Sequence, residues 1–118
     1  MRSILINPIN ETIKEVWYDK NKELSRLEWI QDNLSVRTIS GIRLDDNGNY
    51  LYVDDEGMLL NMNYFFRYTN NNFYVEPVLL AGKGLVVGTD EEGNDIESEL
   101  TIGDLRPKIE FLGRKALH

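Results

Sequence analysis

The sequence predicts an α+β protein with a mainly antiparallel sheet of about six strands and one main helix packed on one face. Short runs rich in Val, Ile, Tyr and Phe alternate with turns rich in Gly, Asn and Asp along most of the 118 residues. A single segment, residues 21–34, repeats leucine and isoleucine at helical spacing. Because no linker separates these segments, we expect residues 1–118 to form one domain.

The first four predicted strands form two hairpins. An apolar run and its return strand flank the turn that begins at Pro8, and a second pair flanks the Asp- and Asn-rich turn at 45–49. Gly41 interrupts one of these strands, which is typical of a β-bulge. The four strands are predicted at residues 2–7, 12–18, 36–44 and 50–53.

The predicted helix begins at an N-cap, Asn21, and ends near Leu34. Its core face is a stripe about 120° wide on the helical wheel, formed by Leu24, Leu27, Ile30 and Leu34. Trp29 projects to nearly the opposite side. Tryptophan is enriched in protein interfaces, so Trp29 and the open strand edges predict a homo-oligomer or a partner contact. The alternative is that a loop covers this side chain.

The second half of the chain predicts shorter elements. Strands are expected at residues 64–68, 73–75, 85–87 and 108–112, and Pro77 restricts the second of them to an edge. Thr101 and Asp104 have the spacing of a capping box, so a single helical turn is expected to begin there.

The charge is distributed unevenly. The net charge is −7, and residues 44–105 contain thirteen acidic residues against two basic residues, Arg67 and Lys83. A field of this sign repels the phosphates of DNA and RNA, which argues against direct nucleic-acid binding. It permits a basic host protein as a partner, by mimicry of DNA charge, or it serves only to keep the surface soluble.

Several classes of chemistry are excluded by composition. The chain has no cysteine, and its one histidine is His118, so thiol chemistry, histidine triads and Cys- or His-based metal sites are not expected. No apolar run approaches the roughly 20 residues that span a bilayer, and the first strand is too short for a secretory signal. We expect a cytoplasmic protein without a cofactor.

The Gly82-Lys83-Gly84 segment is the candidate ligand loop. Glycine-rich backbone beside a lysine can hold a phosphate, although Gly84 stands where a Walker loop needs Ser or Thr. We expect Lys83 and Arg67 to bind the phosphate and Phe66 or Tyr64 to stack on a base. The alternative is a bend that only leads the chain into the next strand.

Three acidic turns, at residues 45–48, 54–57 and 90–93, resemble one another. An EF-hand needs Gly at its sixth position, but counting from Asp45 that position holds Tyr50, so we expect no metal site. We expect type I turns instead, each ending in a left-handed glycine. Asp54, Asp55 and Glu56 are close enough in sequence for acid–base work, and they motivate a carboxylate enzyme as an alternative.

Six segments carry a resemblance to known proteins: residues 4–8, 12–16, 52–59, 65–67, 80–93 and 109–112. On these segments the chain resembles a family of small uncharacterised phage and prophage accessory proteins, while residues 73–79 are longer than in the family. It implies no activity, but such proteins often act against host defences. The sequence therefore predicts a non-catalytic protein that sequesters a small nucleotide signal. The two alternatives are the acidic interaction protein and the carboxylate enzyme.

Overall fold

The computed structural model describes residues 2–18, 25–34, 38–45, 47–55, 64–69, 78–92 and 95–114. Within these ranges, nine strands form two antiparallel sheets accompanied by two short helices, which confirms the α+β class. The elements are β1 (Arg2–Asn7), β2 (Thr12–Trp17), α1 (Arg26–Leu34), β3 (Ile39–Arg43), β4 (Asn49–Asp54), β5 (Phe65–Tyr68), β6 (Val78–Ala81), β7 (Gly84–Thr89), β8 (Asp95–Ile96), α2 (Ile102–Leu105) and β9 (Ile109–Gly113). The predicted cap at Asn21, Leu24 and the predicted strand 73–75 lie outside the described residues.

The large sheet has the strand order β2-β1-β7-β4-β3, and β8 pairs with the far end of β7. Both predicted hairpins, β1 with β2 and β3 with β4, are confirmed. β7 lies between them and pairs with β1 on one side and β4 on the other. Its first five residues are buried, as expected for a strand covered on both faces.

The small sheet has the order β6-β5-β9 and packs on one face of the large sheet. The sequence did not predict this second layer, because alternation locates strands but not the sheet to which each belongs. Ten buried side chains form the core between the sheets: Ile4, Ile6, Leu44, Leu51, Val53, Phe66, Tyr68, Leu80, Val86 and Leu105.

Helix α1 covers the other face of the large sheet. It begins after Ser25, whose hydroxyl accepts a hydrogen bond from the Glu28 N–H at 3.2 Å. Ile30 and Leu34 are buried against the sheet, but Leu27 is 51% exposed, so the predicted stripe is wrong at this position. The packed face is rotated toward Trp29, which contacts the same cluster and provides a larger apolar surface than leucine.

Two glycines show why particular turns form as they do. Gly48 has a φ of 86°, and a Cβ there would collide with the Thr89 carbonyl oxygen, so the left-handed glycine predicted for the first acidic turn is confirmed. Gly57 and Gly93, which end the other two acidic turns, lie outside the described residues. The predicted bulge at Gly41 is wrong. Gly41 pairs in regular register with Tyr52, whose ring would lie 3.0 Å from a Cβ at Gly41. The glycine makes room for the ring.

The predicted capping box before α2 is confirmed. The Asp104 N–H donates to Thr101 Oγ1 at 3.1 Å, and the Thr101 N–H donates to Asp104 Oδ2 at 2.9 Å. The Thr101 backbone bond, followed by the Thr101 hydroxyl, lowers the pKa of Asp104 below its ordinary value. The cap fixes the turn that buries Leu105 in the core between the sheets.

Candidate functional site

The last residues of β6 and β9 lie at the same end of the small sheet, on either side of Tyr64. The Gly82 N–H donates to the Tyr64 carbonyl oxygen at 2.8 Å, and the residue after Tyr64 pairs with Gly113. Both glycines have positive φ, 80° at Gly82 and 66° at Gly113, a region that favours glycine. Each is followed directly by a cation, Lys83 in one case and Arg114 in the other.

The Arg114 guanidinium lies over the ring of Tyr64, with its central carbon 4.8 Å from the ring centroid. This is within the range of a cation–π contact. Arg114 is exposed, whereas Tyr64 and Lys83 are half-buried. We call these three residues the cationic edge. Cations that leave the chain on both sides of an aromatic residue can provide charge for a phosphate, and the ring offers an apolar surface for a planar group.

Phe66 and Gly84 lie in the core and not at the cationic edge. Phe66 is 0% exposed, so its predicted stacking on a ligand is wrong. Gly84 faces it from the large sheet, where a Cβ would lie 2.9 Å from Phe66 Cζ and 2.8 Å from Leu51 Cδ1. The second glycine of the candidate loop is therefore explained by the close approach of the two sheets.

Arg67 does not meet Lys83, contrary to the sequence prediction. It lies three residues beyond Tyr64, about 10 Å along an extended strand. Its Nη1 lies 3.3 Å from Glu110 Oε2, so its charge is directed to the neighbouring strand β9. The cation that contacts Tyr64 is Arg114, from the strand on the other side of β5 from Gly82 and Lys83.

Trp29 lies half-buried against the sheet on the α1 side. Its ring centroid is 5.1 Å from that of Tyr18, at an angle of 49°, so a neighbouring side chain partly covers it. A more exposed tryptophan is Trp17 at the end of β2, which is 62% exposed. The predicted interface role of Trp29 stays a prediction.

Carboxylates from separate parts of the sequence meet at the turns beyond β7. Asp90, Glu91 and Glu99 line a cavity of about 410 Å³ together with Arg43. Glu99 and Asp104 line a neighbouring cavity of about 580 Å³, which also has Lys108 in its wall. We call Asp90, Glu91, Glu99 and Asp104 the acidic end.

Beside the acidic end, a hydrogen-bond network joins the turn before β4 to the segment after β8. Asn49 Nδ2 donates to Asp45 Oδ2 at 2.7 Å, and Ser98 Oγ donates to Asn49 Oδ1 at 2.7 Å. Asn49 and Ser98 are buried, so their bonds are shielded from water. Burial, with a smaller contribution from the Asp45 charge, raises the pKa of Tyr68 in the core. The network holds the turns of this end together.

The comparison of the chain with known families gives one match. A family model described as a domain of unknown function, DUF3846, matches residues 1–105. The chain belongs to the DUF3846 family. Neither the curated proteins nor the solved structures give a match. The matched part of this DUF3846 chain contains Tyr64, Lys83 and the whole acidic end, and it stops before β9 and Arg114.

The carboxylate hypothesis for this DUF3846 chain stays a prediction. Asp54 is the last residue of β4 and is half-buried, Asp55 is exposed in the following turn, and Glu56 lies outside the described residues. Over the described ranges, no three His, Cys, Asp or Glu side chains are grouped to hold a metal ion. Likewise, no helix in the described part of the chain is long and apolar enough to cross a membrane.

Sequence reasoning about this DUF3846 chain missed Arg114. The signal was a repeated dipeptide, because Gly82-Lys83 and Gly113-Arg114 both place a cation directly after a glycine. The sequence alone gave no reason to bring the two dipeptides together. The structure does so because β6 and β9 are the two neighbours of β5.

Proposed function

We propose that this DUF3846 protein is a non-catalytic binding protein that sequesters a small nucleotide signal. The observation that carries this proposal is the cationic edge, where Lys83 and Arg114 flank Tyr64 at one end of the small sheet. Sequestration requires only affinity, so no nucleophile or general base is needed. The phosphate binds between the two cations, and the sugar or base contacts the tyrosine side of the site.

The setting of the cationic edge supports this choice of ligand. The protein carries a net charge of −7, so it repels phosphates over most of its surface at long range. Local contacts therefore decide which anion binds. A small nucleotide needs only a few such contacts, whereas a nucleic acid presents its phosphates to the acidic surface as well.

The biological part of the proposal follows the sequence resemblance. We propose that the protein is a phage or prophage accessory protein acting in the cytoplasm of a bacterial host. By holding a nucleotide signal that a host defence uses, it lowers the free concentration of that signal. The ratio of protein to signal then sets the effect, because a sequestering protein acts stoichiometrically.

Isothermal titration calorimetry with a panel of linear and cyclic nucleotides tests this function. We expect saturable binding of at least one nucleotide, and we expect Lys83→Gln to weaken it by about tenfold, the loss of one charge-assisted contact. The matched control is Arg67→Gln, which removes a cation from the same small sheet and should leave affinity unchanged. Absence of binding to every nucleotide in the panel contradicts the function.

A second candidate function is an acidic protein that occupies the DNA-binding surface of a basic host protein. The observation that favours it is the acidic end, where carboxylates from the segments after β7 and β8 and from α2 line adjoining cavities. Such a surface would attract a basic partner over a distance set by the ionic strength.

Capture from a bacterial lysate, followed by elution with increasing salt, tests the second candidate. We expect basic DNA-binding proteins to elute at moderate salt and to be lost with Glu91→Gln/Glu99→Gln. Glu11→Gln/Glu28→Gln removes the same charge from exposed positions outside the acidic end and is the matched control. Equal capture by both double variants would show that the acidic end is not the binding surface.

A further inference from the structure

We propose that the cationic edge selects a terminal phosphate, as in a nucleoside monophosphate or diphosphate, over the internal phosphodiester of a cyclic nucleotide. The inference rests on the nucleotide-binding function proposed above and specifies the chemical class of its ligand. It follows from three features of the site: its two cations, the contact of the Arg114 guanidinium with the Tyr64 ring, and the glycines that precede both cations.

Charge is the first feature. A phosphomonoester carries about −1.5 to −2 charges near neutral pH, whereas a phosphodiester carries a single negative charge. Arg114 lies over the Tyr64 ring, and Lys83 follows Gly82, whose N–H donates to the Tyr64 carbonyl oxygen, so the chain brings a cation to each side of the Tyr64 backbone. A terminal phosphate matches both cations, and a diester leaves one of them without a matching charge at the site.

The second feature is the cation–π contact of Arg114 with Tyr64. A guanidinium that packs flat on an aromatic ring keeps its N–H groups directed outward, in the plane of the guanidinium. These N–H groups can form two parallel hydrogen bonds to two oxygens of one phosphate. The contact to the ring also limits the rotamers of Arg114 before any ligand binds, which reduces the entropy lost on binding.

The third feature is the backbone on each side of Tyr64. Gly82 and Gly113 both adopt positive φ, and each turns the chain at the end of its strand. At Gly113, a Cβ would meet no heavy atom within 4 Å, so backbone conformation and not space favours glycine there. We infer that Gly113 sets the direction in which Arg114 leaves β9 and returns over the ring.

Calorimetry that compares 5′-AMP and ADP with 3′,5′-cyclic AMP at one salt concentration tests the inference. The base is the same in all three ligands, so differences report the phosphate. We expect the linear nucleotides to bind about tenfold more tightly, as for one bidentate charge-assisted contact. Arg114→Lys keeps the charge but loses the planar donor pair, and it should remove most of this preference.

Two further variants separate the ring from the backbone. Tyr64→Leu removes the ring under Arg114 and Gly113→Ala disfavours the positive φ before it, so each should lose the preference for linear nucleotides. Arg67→Gln is again the control with unchanged affinity. Circular dichroism melting of each variant shows whether a loss of binding reflects unfolding.

The outcomes distinguish the inference from the function on which it rests. Cyclic AMP binding as tightly as AMP, with Lys83→Gln weakening both, overturns the terminal-phosphate inference and leaves the nucleotide function standing. Inorganic pyrophosphate serves as a probe without a base. If pyrophosphate binds in an Arg114-dependent manner and no nucleotide binds, the site for a terminal phosphate is supported and the nucleotide function is wrong.

Discussion

The two faces of the large sheet are covered in different ways. On one face, the small sheet and α2 contribute to a core of ten buried side chains, and Gly84 allows the two sheets to approach closely. On the other face, one helix of nine residues contributes two buried side chains, Ile30 and Leu34. Leu27 on the same helix is half exposed.

This difference shows where the fold is specified most tightly. The strands of a hydrogen-bonded sheet cannot move one by one to fill a void. Substitutions that change side-chain volume between the two sheets should therefore lower the free energy of unfolding strongly. A single helix can translate or rotate slightly on its sheet and recover part of a lost contact. We therefore expect the small-sheet face to tolerate less change than the helix face.

The largest effect is expected for Phe66→Ala. The side chain is 0% exposed between the sheets, and its removal should lower the free energy of unfolding by about 3–5 kcal/mol. Urea denaturation followed by circular dichroism measures this change. A loss below about 1 kcal/mol would mean that the ring is not packed in the core. Phe66 would then again be a candidate for contact with a ligand.

A matched pair of leucines compares the two faces directly. Leu51 faces the small sheet and Leu85 faces α1, and both are 0% exposed. Leu51→Ala should cost about 4 kcal/mol and Leu85→Ala about 3 kcal/mol, because the helix can close part of the cavity. Both values come from urea denaturation. The comparison fails if Leu85→Ala proves the more destabilising of the two.

Gly84→Ala tests the close approach of the sheets. The added methyl group would lie within 3 Å of Leu51 and Phe66 atoms, so we expect a loss of about 1–3 kcal/mol. Phe66→Leu shortens the side chain on the opposite sheet. The double variant Gly84→Ala/Phe66→Leu should therefore cost less than the sum of the two single changes. Strict additivity in the urea denaturation data would contradict the contact.

Thr101→Ala tests the cap of α2 on the small-sheet face, and we expect it to cost about 1 kcal/mol. The lowered pKa of Asp104 adds a dependence on pH. The Asp104 carboxylate stabilises the fold above its ordinary pKa of 3.8, and this stabilisation is lost as the pH falls below that value, through the folded-state pKa. Thr101→Ala removes only the hydroxyl and leaves the Thr101 N–H, the main partner of the carboxylate, whereas Asp104→Asn removes the carboxylate charge itself.

Thermal melting between neutral pH and about pH 2 measures the Asp104 effect, since that interval spans the ordinary carboxylate range. The original protein should lose more stability on acidification than Asp104→Asn does, because the asparagine variant has no carboxylate to protonate. Ser25→Ala, at the start of α1, removes a hydroxyl cap on the other face and is the matched control. Equal acid sensitivity of the original protein and Asp104→Asn would contradict the assignment.

The smallest effect is expected for Leu27→Gln on the exposed side of α1. Because 51% of this side chain is exposed, the change should alter stability by less than about 0.5 kcal/mol. Thermal melting is sufficient to measure it. A loss of more than about 1 kcal/mol would mean that Leu27 packs in the core, as the sequence predicts, and that α1 is packed more tightly on the sheet than its exposure indicates.

Sequence reasoning worked where structure is decided locally. The hairpins and the α2 cap follow from turn and capping chemistry within a few residues, and the structure confirms them. The second sheet depends on β5 choosing β6 and β9 as neighbours, a long-range pairing that alternation does not encode. The packed face of α1 was misjudged because Trp29 was assigned to the outer side of the helix.

In the candidate site, too, the residues that depend on local sequence were predicted and the long-range contact was not. Gly82 and Lys83 were predicted from adjacent residues, and the structure places them at a strand end beside Tyr64. Arg67 was predicted as their partner because it is the other cation of the acidic segment. The contact to Arg114 depends on the three-strand order of the small sheet, which no spacing in the sequence reveals.

The position of β7 in the sheet has a consequence for the order of assembly during synthesis. β7 follows both hairpins in the chain, yet it is the strand that joins them. On the ribosome, each hairpin emerges with an inner edge that has no neighbour, and an open edge can pair with another chain. The nascent protein is therefore most exposed to association with other chains just before residues 84–89 emerge, and completion of that one strand covers both inner edges at once.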